Sequence, residues 1–199
     1  PRNNTFRSRS RLAVYQLQLF PDPLLGELPH PGETVFETPE VRFWHQGDGI
    51  AILSFKTKMN TVSAGVLEGI HRAVEEAERH FQGLVIWQHG EPFSAGADLS
   101  GAMVALQAGK LDEFEAAVAR FQQTSMRIKY SLVPVVCAIR GMALGGGCEF
   151  QMHSARTVAA LESYVGLVEA GVGLLPAGGG LKEIALRCVQ KAEGGDIFP

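Results

Sequence analysis

Glu149 is the residue whose surroundings most suggest chemistry, and that chemistry would act on a carbonyl group. It ends the segment Gly141–Glu149 (Gly-Met-Ala-Leu-Gly-Gly-Gly-Cys-Glu), which follows the apolar segment Val135–Ile139. Glycines let the backbone approach a ligand closely, and a helix that begins at Gly147 has first N–H groups without intrahelical partners. The sequence therefore predicts N–H donors for a carbonyl oxygen, beside an acid that can move protons.

A second loop and a second acid complete the candidate site. Phe93–Asp98 (Phe-Ser-Ala-Gly-Ala-Asp) follows the strand expected at Leu84–Trp87, and loops at the carboxyl ends of strands build the site in an α/β layer. If each loop supplies one N–H, the two form an oxyanion hole, in which one donor typically lowers the barrier by ~2.7–4 kcal/mol. Addition of water across a double bond needs one group that activates water and one that protonates carbon. Glu149 and Glu169, 20 residues apart, are candidates for these roles.

Other catalytic arrangements fit the spacing of the residues less well. Cys148 and His153 could form a thiol–base pair, but a five-residue step on a helix does not bring two side chains to one face. Ser94 lacks the Gly-x-Ser-x-Gly context of a serine hydrolase. The run Gly145–Gly147 lacks the Gly-x-Gly-x-x-Gly spacing of a dinucleotide-binding motif. The segment Gly173–Gly180 lacks the Gly-Lys-Ser/Thr of a P-loop. The six histidines show no metal-ligand spacing, so no metal is predicted.

The candidate residues also have ordinary explanations. Most glutamates are solvated surface residues, but Glu149 and Glu169 each have apolar neighbours on both sides. Asp98 is well placed to cap the helix that follows it. The run Gly145–Gly147 alone could be only a tight turn. The combination of two loops with two acids is what favours a functional site.

The composition is that of a globular protein. The chain has 199 residues, of which 46% are hydrophobic and 20% charged, enough for one domain with a core. The net charge of −3 indicates no general affinity for nucleic acid. Three cysteines without a Cys-x-x-Cys predict neither a disulfide framework nor a zinc site. Without a membrane-span or signal-peptide pattern, we expect a cytoplasmic protein, and both ends of the chain look like cuts in a longer one.

The pattern along the chain divides it into a linker and one α/β domain. Residues 1–40, with four arginines near the start and five prolines between 21 and 39, are predicted to be a linker or tail, partly extended. Residues 41–199 are predicted to be the domain, beginning with a β-hairpin of Val41–His45 and Ile50–Phe55. Strands and helices then alternate, as in an α/β domain. The further expected elements are the helix Ser63–Phe81 with Ser63 as its N-cap, the strand Leu84–Trp87, the helix Leu111–Lys129, the strand Val135–Ile139, the helix Gly147–His153, the strand Thr157–Ala160, a loop at Ser163–Pro176 and the helix Gly179–Cys188.

Three segments are also similar to the motifs of a known family. They are Phe93–Leu99 (Phe-Ser-Ala-Gly-Ala-Asp-Leu), Pro134–Glu149 (Pro-Val-Val-Cys-Ala-Ile-Arg-Gly-Met-Ala-Leu-Gly-Gly-Gly-Cys-Glu) and Val165–Gly180 (Val-Gly-Leu-Val-Glu-Ala-Gly-Val-Gly-Leu-Leu-Pro-Ala-Gly-Gly-Gly). In this order they resemble the crotonase superfamily, the enoyl-CoA hydratases and isomerases, over about residues 41–190. The segment Gly171–Glu183 resembles hydratase modules fused behind a 3-hydroxyacyl-CoA dehydrogenase in bacterial fatty-acid β-oxidation proteins.

The resemblance implies a role for each matching residue. The N–H groups of Ala97 and Gly146 would form the oxyanion hole for a thioester oxygen. Glu149 would activate water toward the β-carbon, and Glu169 would deliver the α-proton. The further substrate-binding residues implied are Ala95, Gly96, Asp98 and Gly145. Arg140 and Lys182 are candidates by position alone for the CoA phosphates.

The resemblance also implies a fold and an assembly. The fold would be α/β and crotonase-like (ClpP/crotonase), a spiral of ββα units. Members of the superfamily continue beyond the point where this chain stops, with helices that complete the core, contact CoA and support trimers. We therefore expect a domain truncated at the C-terminus, with the C-terminal helices missing from this chain.

The activity implied is that of a lyase, the hydration of trans-2-enoyl-CoA to 3-hydroxyacyl-CoA in fatty-acid β-oxidation. One alternative is a Δ3,Δ2-enoyl-CoA isomerase, which needs one acid where a hydratase uses two, and another is a non-catalytic acyl-CoA-binding module. No covalently bound cofactor is expected, because coenzyme A enters as part of the substrate. NAD is expected only if the complete protein has a fused dehydrogenase domain. The expected partners are the acyl-CoA and either that fused domain or further copies of the chain, without nucleic acid or a membrane span.

Overall fold

Eight strands and five α-helices lie within residues 32–193, the part of the chain that the computed structural model describes. The strands are β1 Glu33–Glu37, β2 Val41–His45, β3 Ile50–Phe55, β4 Gly83–Trp87, β5 Val135–Ile139, β6 Met142–Leu144, β7 Arg156–Ala159 and β8 Tyr164–Gly166. The helices are α1 Ala64–His80, α2 Ser100–Gln107, α3 Leu111–Lys129, α4 Gly146–His153 and α5 Gly180–Glu193. A 3₁₀ helix at Glu169–Val172 lies between β8 and α5.

The main sheet has the strand order β1-β2-β3-β4-β5-β7. β2 and β3 pair antiparallel, with Val41 opposite Phe55, which confirms the predicted hairpin. β3, β4, β5 and β7 run parallel, and parallel neighbours need crossovers between them. Helix α1 makes the crossover from β3 to β4, α2 and α3 make the next one, and α4 lies between β5 and β7. The predicted α/β architecture is therefore confirmed.

Helix α1 illustrates how the apolar pattern builds the core. The Ser63 hydroxyl accepts a hydrogen bond from the N–H of Val66 at 3.2 Å, so Ser63 is the N-cap as predicted. Val66, Ile70 and Val74 recur at four-residue steps and are fully buried, because this spacing keeps them on one face. They join the buried residues of β2 to β5 in one hydrophobic core.

The strands β4 and β5 determine where the candidate loops lie. They are adjacent and parallel, with Leu84 opposite Val135 and Trp87 opposite Ala138. Their carboxyl ends therefore lie at the same edge of the sheet, and the loops that follow both strands meet there. The bounds of α3 and β5 are those that the sequence predicted.

Short elements account for the differences from the expected pattern. The sheet begins with β1 at Glu33, before residue 41 where the domain was expected to start. The strands β6 and β8 pair in a separate parallel sheet, and β8 and the 3₁₀ helix lie where a loop was expected. Strands of three residues are too short to show an alternating pattern. Because β6 separates β5 from the glycine turn, α4 begins at Gly146 rather than at Gly147.

Part of the predicted linker is not covered by the structure. Residues 1–31 lie outside the described residues, so the linker expected at residues 1–40 stays a prediction for most of its length. Among residues 32–193, we find no helix that combines the length and the apolar character needed to span a membrane.

Candidate active site

One cavity brings together the loops that follow β4 and β5. Its volume is about 620 Å³, and its walls come from the loop at residues 95–98, from α3, from the start of α4 and from the segment around Glu169. Eight of the residues that the sequence suggested for catalysis or substrate binding line it: Ala95, Gly96, Ala97, Asp98, Gly145, Gly146, Glu149 and Glu169. The expectation that separate segments of the chain meet at one place therefore holds in the structure.

Hydrogen bonds fix the loop at residues 93–98 and leave one of its N–H groups unused. The bonds run from Phe93 N to Arg140 O (2.9 Å), Ser94 N to Met142 O (3.0 Å), Ala95 N to Met59 O (3.1 Å), Gly96 N to Ser94 Oγ (3.1 Å) and Asp98 N to Val62 O (2.9 Å). Within the described part of the chain, the N–H of Ala97 has no such acceptor. An unpaired main-chain donor beside a cavity is available to a ligand.

The second loop presents a similar free donor at the start of α4. Gly145 has φ +50°, a left-handed conformation that favours glycine, and its N–H donates to Gly166 O at 2.9 Å. The next residue, Gly146, is the first of α4, where N–H groups have no intrahelical partner. Across residues 32–193 no acceptor is bonded to the Gly146 N–H.

The two free donors lie side by side. A Cβ atom placed on Gly146 would stand 3.4 Å from the nitrogen of Ala97, and one placed on Gly96 would stand 3.6 Å from the nitrogen of Gly146. Main-chain bonds tie the loops together, because Ser94 N donates to Met142 O and Leu144 N donates to Ser94 O, both at 3.0 Å. Two adjacent N–H groups on tethered loops are thus available to a ligand.

Glu149 is buried at the wall of this cavity. Its side chain projects from the first turn of α4, and the residue is 3% exposed. The N–H of Gly180 donates to its Oε1 at 3.0 Å. Burial raises the pKa of the Glu149 carboxyl, and the negative charge of Glu169 raises it further, whereas hydrogen bonds from Gly180 and Gly178 lower it. The net direction is upward, which makes the Glu149 carboxylate a stronger base than one in water.

Glu169 supplies the second carboxyl group of the cavity. It is the first residue of the 3₁₀ helix and is partly buried. Its Oε2 atom is buried and has no hydrogen-bond partner within residues 32–193. Its Oε1 would lie 3.2 Å from a Cβ placed on Gly145, so the carboxyl group lies against the glycine turn. Buried polar atoms are normally paired, so the free oxygen marks a place for a donor from a ligand.

The segments that form this cavity lie within a match to a known protein family. Residues 45–194 match the family model described as enoyl-CoA hydratase/isomerase. The chain belongs to the enoyl-CoA hydratase/isomerase family. The predicted resemblance to the crotonase superfamily is thus confirmed, and solved structures agree on the fold of this family member. The crystal structure of an enoyl-CoA hydratase from Bacillus anthracis has a TM-score of 0.65 with this chain, is 24% identical, and covers 73% of this chain and 57% of that one.

Two curated relatives of this family member are much longer proteins. A Bacillus subtilis protein named "Probable 3-hydroxyacyl-CoA dehydrogenase" is 44% identical over 145 residues, which are 73% of this chain and 18% of the relative. A Rickettsia felis protein named "Putative fatty acid oxidation complex trifunctional enzyme" is 39% identical over 136 residues, 68% of this chain and 19% of the relative. The chain therefore spans less than a fifth of the length of these two relatives. The predicted similarity to dehydrogenase-containing proteins is confirmed.

Phe121 of α3 also lines the cavity, although the sequence analysis did not identify it as a site residue. Its ring stacks on that of Phe150, with centroids 4.9 Å apart. A Cβ on Gly146 would lie 2.4 Å from its Cζ, and one on Gly178 would lie 2.6 Å from its Cδ1. Phe121 therefore fills the space that the missing side chains of both glycines leave. Its position on α3 gives no sequence signal for this contact.

The sequence analysis did not identify the glycine run Gly178–Gly180, at the start of α5, as part of the surroundings of Glu149. A Cβ on Gly178 would lie 2.2 Å from Glu149 Oε2, and Gly180 donates to the other carboxylate oxygen. A glycine run that opens a helix is the same signal that drew attention to Gly145–Gly147. It could have been read in the same way at Gly178–Gly180.

The remaining candidate residues have structural roles. Asp98 Oδ1 accepts the N–H of Ser100 at 3.1 Å, at the start of α2, and hydrogen bonds from Ser100 lower the pKa of the Asp98 carboxyl. Asp98 thus accepts the first N–H of α2, as expected of a capping residue, although the N-cap position itself is occupied by Leu99. Asp98 also lines the cavity. Cys148 contacts Met152 at 3.9 Å, whereas His153 Nδ1 bonds to Glu149 O at 2.7 Å. The thiol and the imidazole therefore have separate partners, as the helical spacing predicted.

The two basic residues suggested by position do not line the cavity. Arg140 pairs with Glu91 at 3.2 Å on the surface. Lys182 Nζ lies 3.1 Å from Glu183. Arg120 does line the cavity, and its guanidinium pairs with Glu68. Among the described cavity residues, Arg120 is thus the one with a cationic side chain.

Proposed function

We propose that this cavity is the active site of an enoyl-CoA hydratase of fatty-acid β-oxidation, which adds water to trans-2-enoyl-CoA and yields 3-hydroxyacyl-CoA. The observation that carries the proposal is that two unpaired main-chain N–H groups and two glutamates line one cavity. Membership of the family supports the reaction class. The names of the two longer relatives, one a 3-hydroxyacyl-CoA dehydrogenase and the other a fatty acid oxidation enzyme, support the acyl-CoA substrate class.

In this proposal the thioester oxygen accepts hydrogen bonds from Ala97 and Gly146. These donors draw electron density from the carbonyl and make the β-carbon of the conjugated double bond electrophilic. They also stabilise the negative charge that develops on the oxygen when the enolate forms, and such fixed donors need no reorganisation. The apolar part of the cavity would take the acyl chain, with Phe114, Val118 and Phe121 of α3 on one side.

The two glutamates complete the addition of water. Glu149, ionised, takes one proton from water while the water oxygen bonds to the β-carbon, and the electrons of the double bond move onto the thioester. The carboxyl group of Glu169 then supplies a proton to the α-carbon as the carbonyl re-forms. The product gains H and OH across the former double bond, and exchange of a proton with solvent restores both acids. Burial raises the pKa of Glu149, which brings this base nearer to the working pH.

The presence of both acids favours the hydratase over the isomerase. Moving a double bond between Δ3 and Δ2 requires one acid–base group to take a proton and return it at a second carbon. It needs no second carboxyl to handle water. Because Glu149 and Glu169 line the same cavity, the hydratase accounts for both residues.

Enzyme assays with the complete protein test this proposal directly. Crotonyl-CoA should lose its enoyl absorbance, and Glu149→Gln and Glu169→Gln should each lower kcat by about 10²–10⁴-fold, the usual contribution of a general acid or base. Glu115→Gln, which changes an exposed glutamate of α3 outside the cavity, is the matched control and should keep the wild-type rate. Wild-type rates in both active-site variants would overturn the assignment of the acids.

The variant Glu149→Gln also distinguishes an enzyme from a non-catalytic acyl-CoA-binding module. An acyl-CoA-binding module would bind crotonyl-CoA without turnover, and Glu149→Gln would leave its affinity unchanged. An enzyme would turn the substrate over and lose that rate in the variant. A complete protein that binds but never hydrates the substrate would favour the binding module.

We further propose that the complete protein couples this site to a dehydrogenase. The hydratase product is a 3-hydroxyacyl-CoA, the kind of compound named in the Bacillus subtilis relative. NAD would then belong to the dehydrogenase domain. Trimer formation, the choice between fused and separate partners, and a cytoplasmic location belong to the same proposal.

A further inference from the structure

We propose that Glu183 is a positioning residue for Glu149, a role that rests on the proposed function of Glu149. Glu183 joins α3, α4 and α5, and thereby holds the start of α5 against the Glu149 carboxyl group. No residue of this network touches the cavity, because neither Glu183 nor its partners line it.

The first step is that Glu183 is a buried carboxylate with partners from three helices. The residue is 4% exposed and lies in the first turn of α5. Lys129, the last residue of α3, donates to Oε1 at 2.6 Å. His153, the last residue of α4, lies 3.6 Å from the same oxygen, and Lys182 lies at 3.1 Å. A buried charge is costly unless it is paired, so the ion pairs with Lys129 and Lys182 offset this cost, and the one with Lys129 holds the start of α5 against the end of α3.

The second step is that His153 links this cluster to the Glu149 backbone. Nδ1 of His153 donates to Glu149 O at 2.7 Å, since a carbonyl oxygen can only accept. Nε2 then carries a lone pair and can accept from Lys182 Nζ at 3.4 Å. Burial lowers the pKa of His153, and the charges of Lys182 and Lys129 lower it as well, which fits this neutral form.

The third step is that the same turn of α5 reaches the Glu149 carboxylate. Gly180, three residues before Glu183, donates its N–H to Glu149 Oε1 at 3.0 Å. Glu183 N donates to Gly179 O at 3.1 Å, which closes the turn that carries both residues. A movement of α5 would therefore lengthen the bond from Gly180 to Glu149.

The consequence concerns the proton affinity of Glu149. Burial and three neighbouring groups influence its pKa: burial and the Glu169 carboxylate raise it, and the N–H groups of Gly180 and Gly178 lower it. The charges nearest to His153, at the end of α4, are those of Glu183, Lys182 and Lys129, and His153 itself is neutral. If Glu183 loses its charge, the Gly180 bond weakens and the pKa of Glu149 rises.

The test is the pH profile of hydratase activity in the complete protein. Glu183→Gln should lower kcat about tenfold, the effect of one lost hydrogen bond to a charged group, with KM within about twofold because no cavity residue changes. The acidic limb of the profile should move to higher pH. Lys129→Gln removes the hydrogen bond from Lys129 to Glu183 by changing the less buried partner, and it should move the acidic limb in the same direction. This variant tests the proposal if Glu183→Gln does not fold.

The matched control is Glu78→Gln. It breaks another partly buried ion pair, between Glu78 of α1 and Arg127 of α3, without touching α4 or α5. It should lower thermal stability yet leave kcat and the acidic limb unchanged. Folded Glu183→Gln or Lys129→Gln protein with an unmoved limb and wild-type kcat overturns the positioning role. Activity retained in Glu149→Gln would instead overturn the proposed function itself.

Discussion

At the residue scale, the Glu149 carboxyl group lies almost wholly out of solvent and near a second acid. Its charged form is costly there, because only two N–H groups compensate for the lost water. The proposed chemistry needs this charged form as a base. The site therefore carries an unfavourable contribution to folding that is useful for activity, a conflict common at functional positions.

We expect Glu149→Gln to stabilise the protein near neutral pH. The amide oxygen can still accept from Gly180, and no charge is buried. Because the pKa of Glu149 is raised, the favourable contribution of its protonated form is present below the ordinary value of 4.5 and is lost as the pH rises through the folded-state pKa. The variant should thus melt about 2–4 °C above wild type near pH 7 and no higher than wild type at acidic pH.

Thermal melts by circular dichroism at the two pH values measure this difference. Glu115→Gln serves as the control, because a fully solvated acid should give no stabilisation at either pH. A variant at position 149 that melts below wild type near neutral pH would contradict the expectation.

At the element scale, an ion pair fixes α1 against α3. Arg127 donates to Glu78 Oε1 at 2.7 Å, and Leu132 N donates to the same oxygen at 2.9 Å. The hydrogen bond from Arg127 is the largest of the contacts that lower the pKa of Glu78, to about 2. The Glu78 side chain is only 14% exposed, so solvent screens this pair weakly. The contact should therefore contribute measurably to stability, unlike most surface pairs.

Glu78→Gln should reduce the free energy of unfolding by about 2–3 kcal/mol near pH 7. A lowered pKa stabilises the fold above the ordinary value of 4.5, and this contribution is lost as the pH falls toward about 2. The difference between variant and wild type should shrink over that window. Urea unfolding at several pH values measures it, and Glu113→Gln, which breaks the exposed pair with Lys110, should change stability by less than ~0.5 kcal/mol. An effect of Glu78→Gln as small as that of Glu113→Gln would contradict the prediction.

The elements also show what a sequence can and cannot predict. α3 and β5 were predicted with their observed bounds because their apolar residues repeat over a full element. The strand β6 was missed because its pairing with Tyr164–Gly166 is a long-range contact of only three residues. Ala97, Gly146, Glu149 and Glu169 could be chosen as candidates from local motifs. The Phe121 contacts could not, because they depend on how helices pack, and the sequence around Gly180 shows a glycine run but not the acid that it contacts.

At the scale of the whole molecule, burial is uneven along the chain. The hydrophobic core ends at Phe150, whereas residues 156–193 contain many exposed apolar side chains. The exposed residues of this segment are Val158, Leu161, Tyr164, Val165, Val168, Val172, Leu175, Leu181, Ile184, Leu186 and Val189. Few buried contacts imply low local stability. The cavity nevertheless has walls from both parts, with Gly146 on one side and Leu174 on the other.

We expect a bound acyl-CoA to stabilise residues 164–183 more than the central strands. A ligand that contacts both walls adds favourable contacts to the weakly buried segment, and binding to the folded state raises stability. Hydrogen exchange with and without crotonyl-CoA, on Glu149→Gln to prevent turnover, measures the protection of each segment. Free coenzyme A, which lacks the thioester carbonyl, is the control and should protect less. Equal protection by both compounds would contradict binding of the carbonyl at this cavity.

The tethering of the two loops through their main chains has an evolutionary consequence. In the proposed function the groups that hold the anion are peptide amides, and main-chain bonds from Ser94 to Met142 and Leu144 tie their two loops together. Mutations elsewhere in the cavity wall, such as on α3, can thus change the shape of the ligand-binding cavity without changing these amides. A scaffold of this kind can diversify toward new thioesters by changing side chains alone, since the machinery common to all of them resides in the peptide backbone.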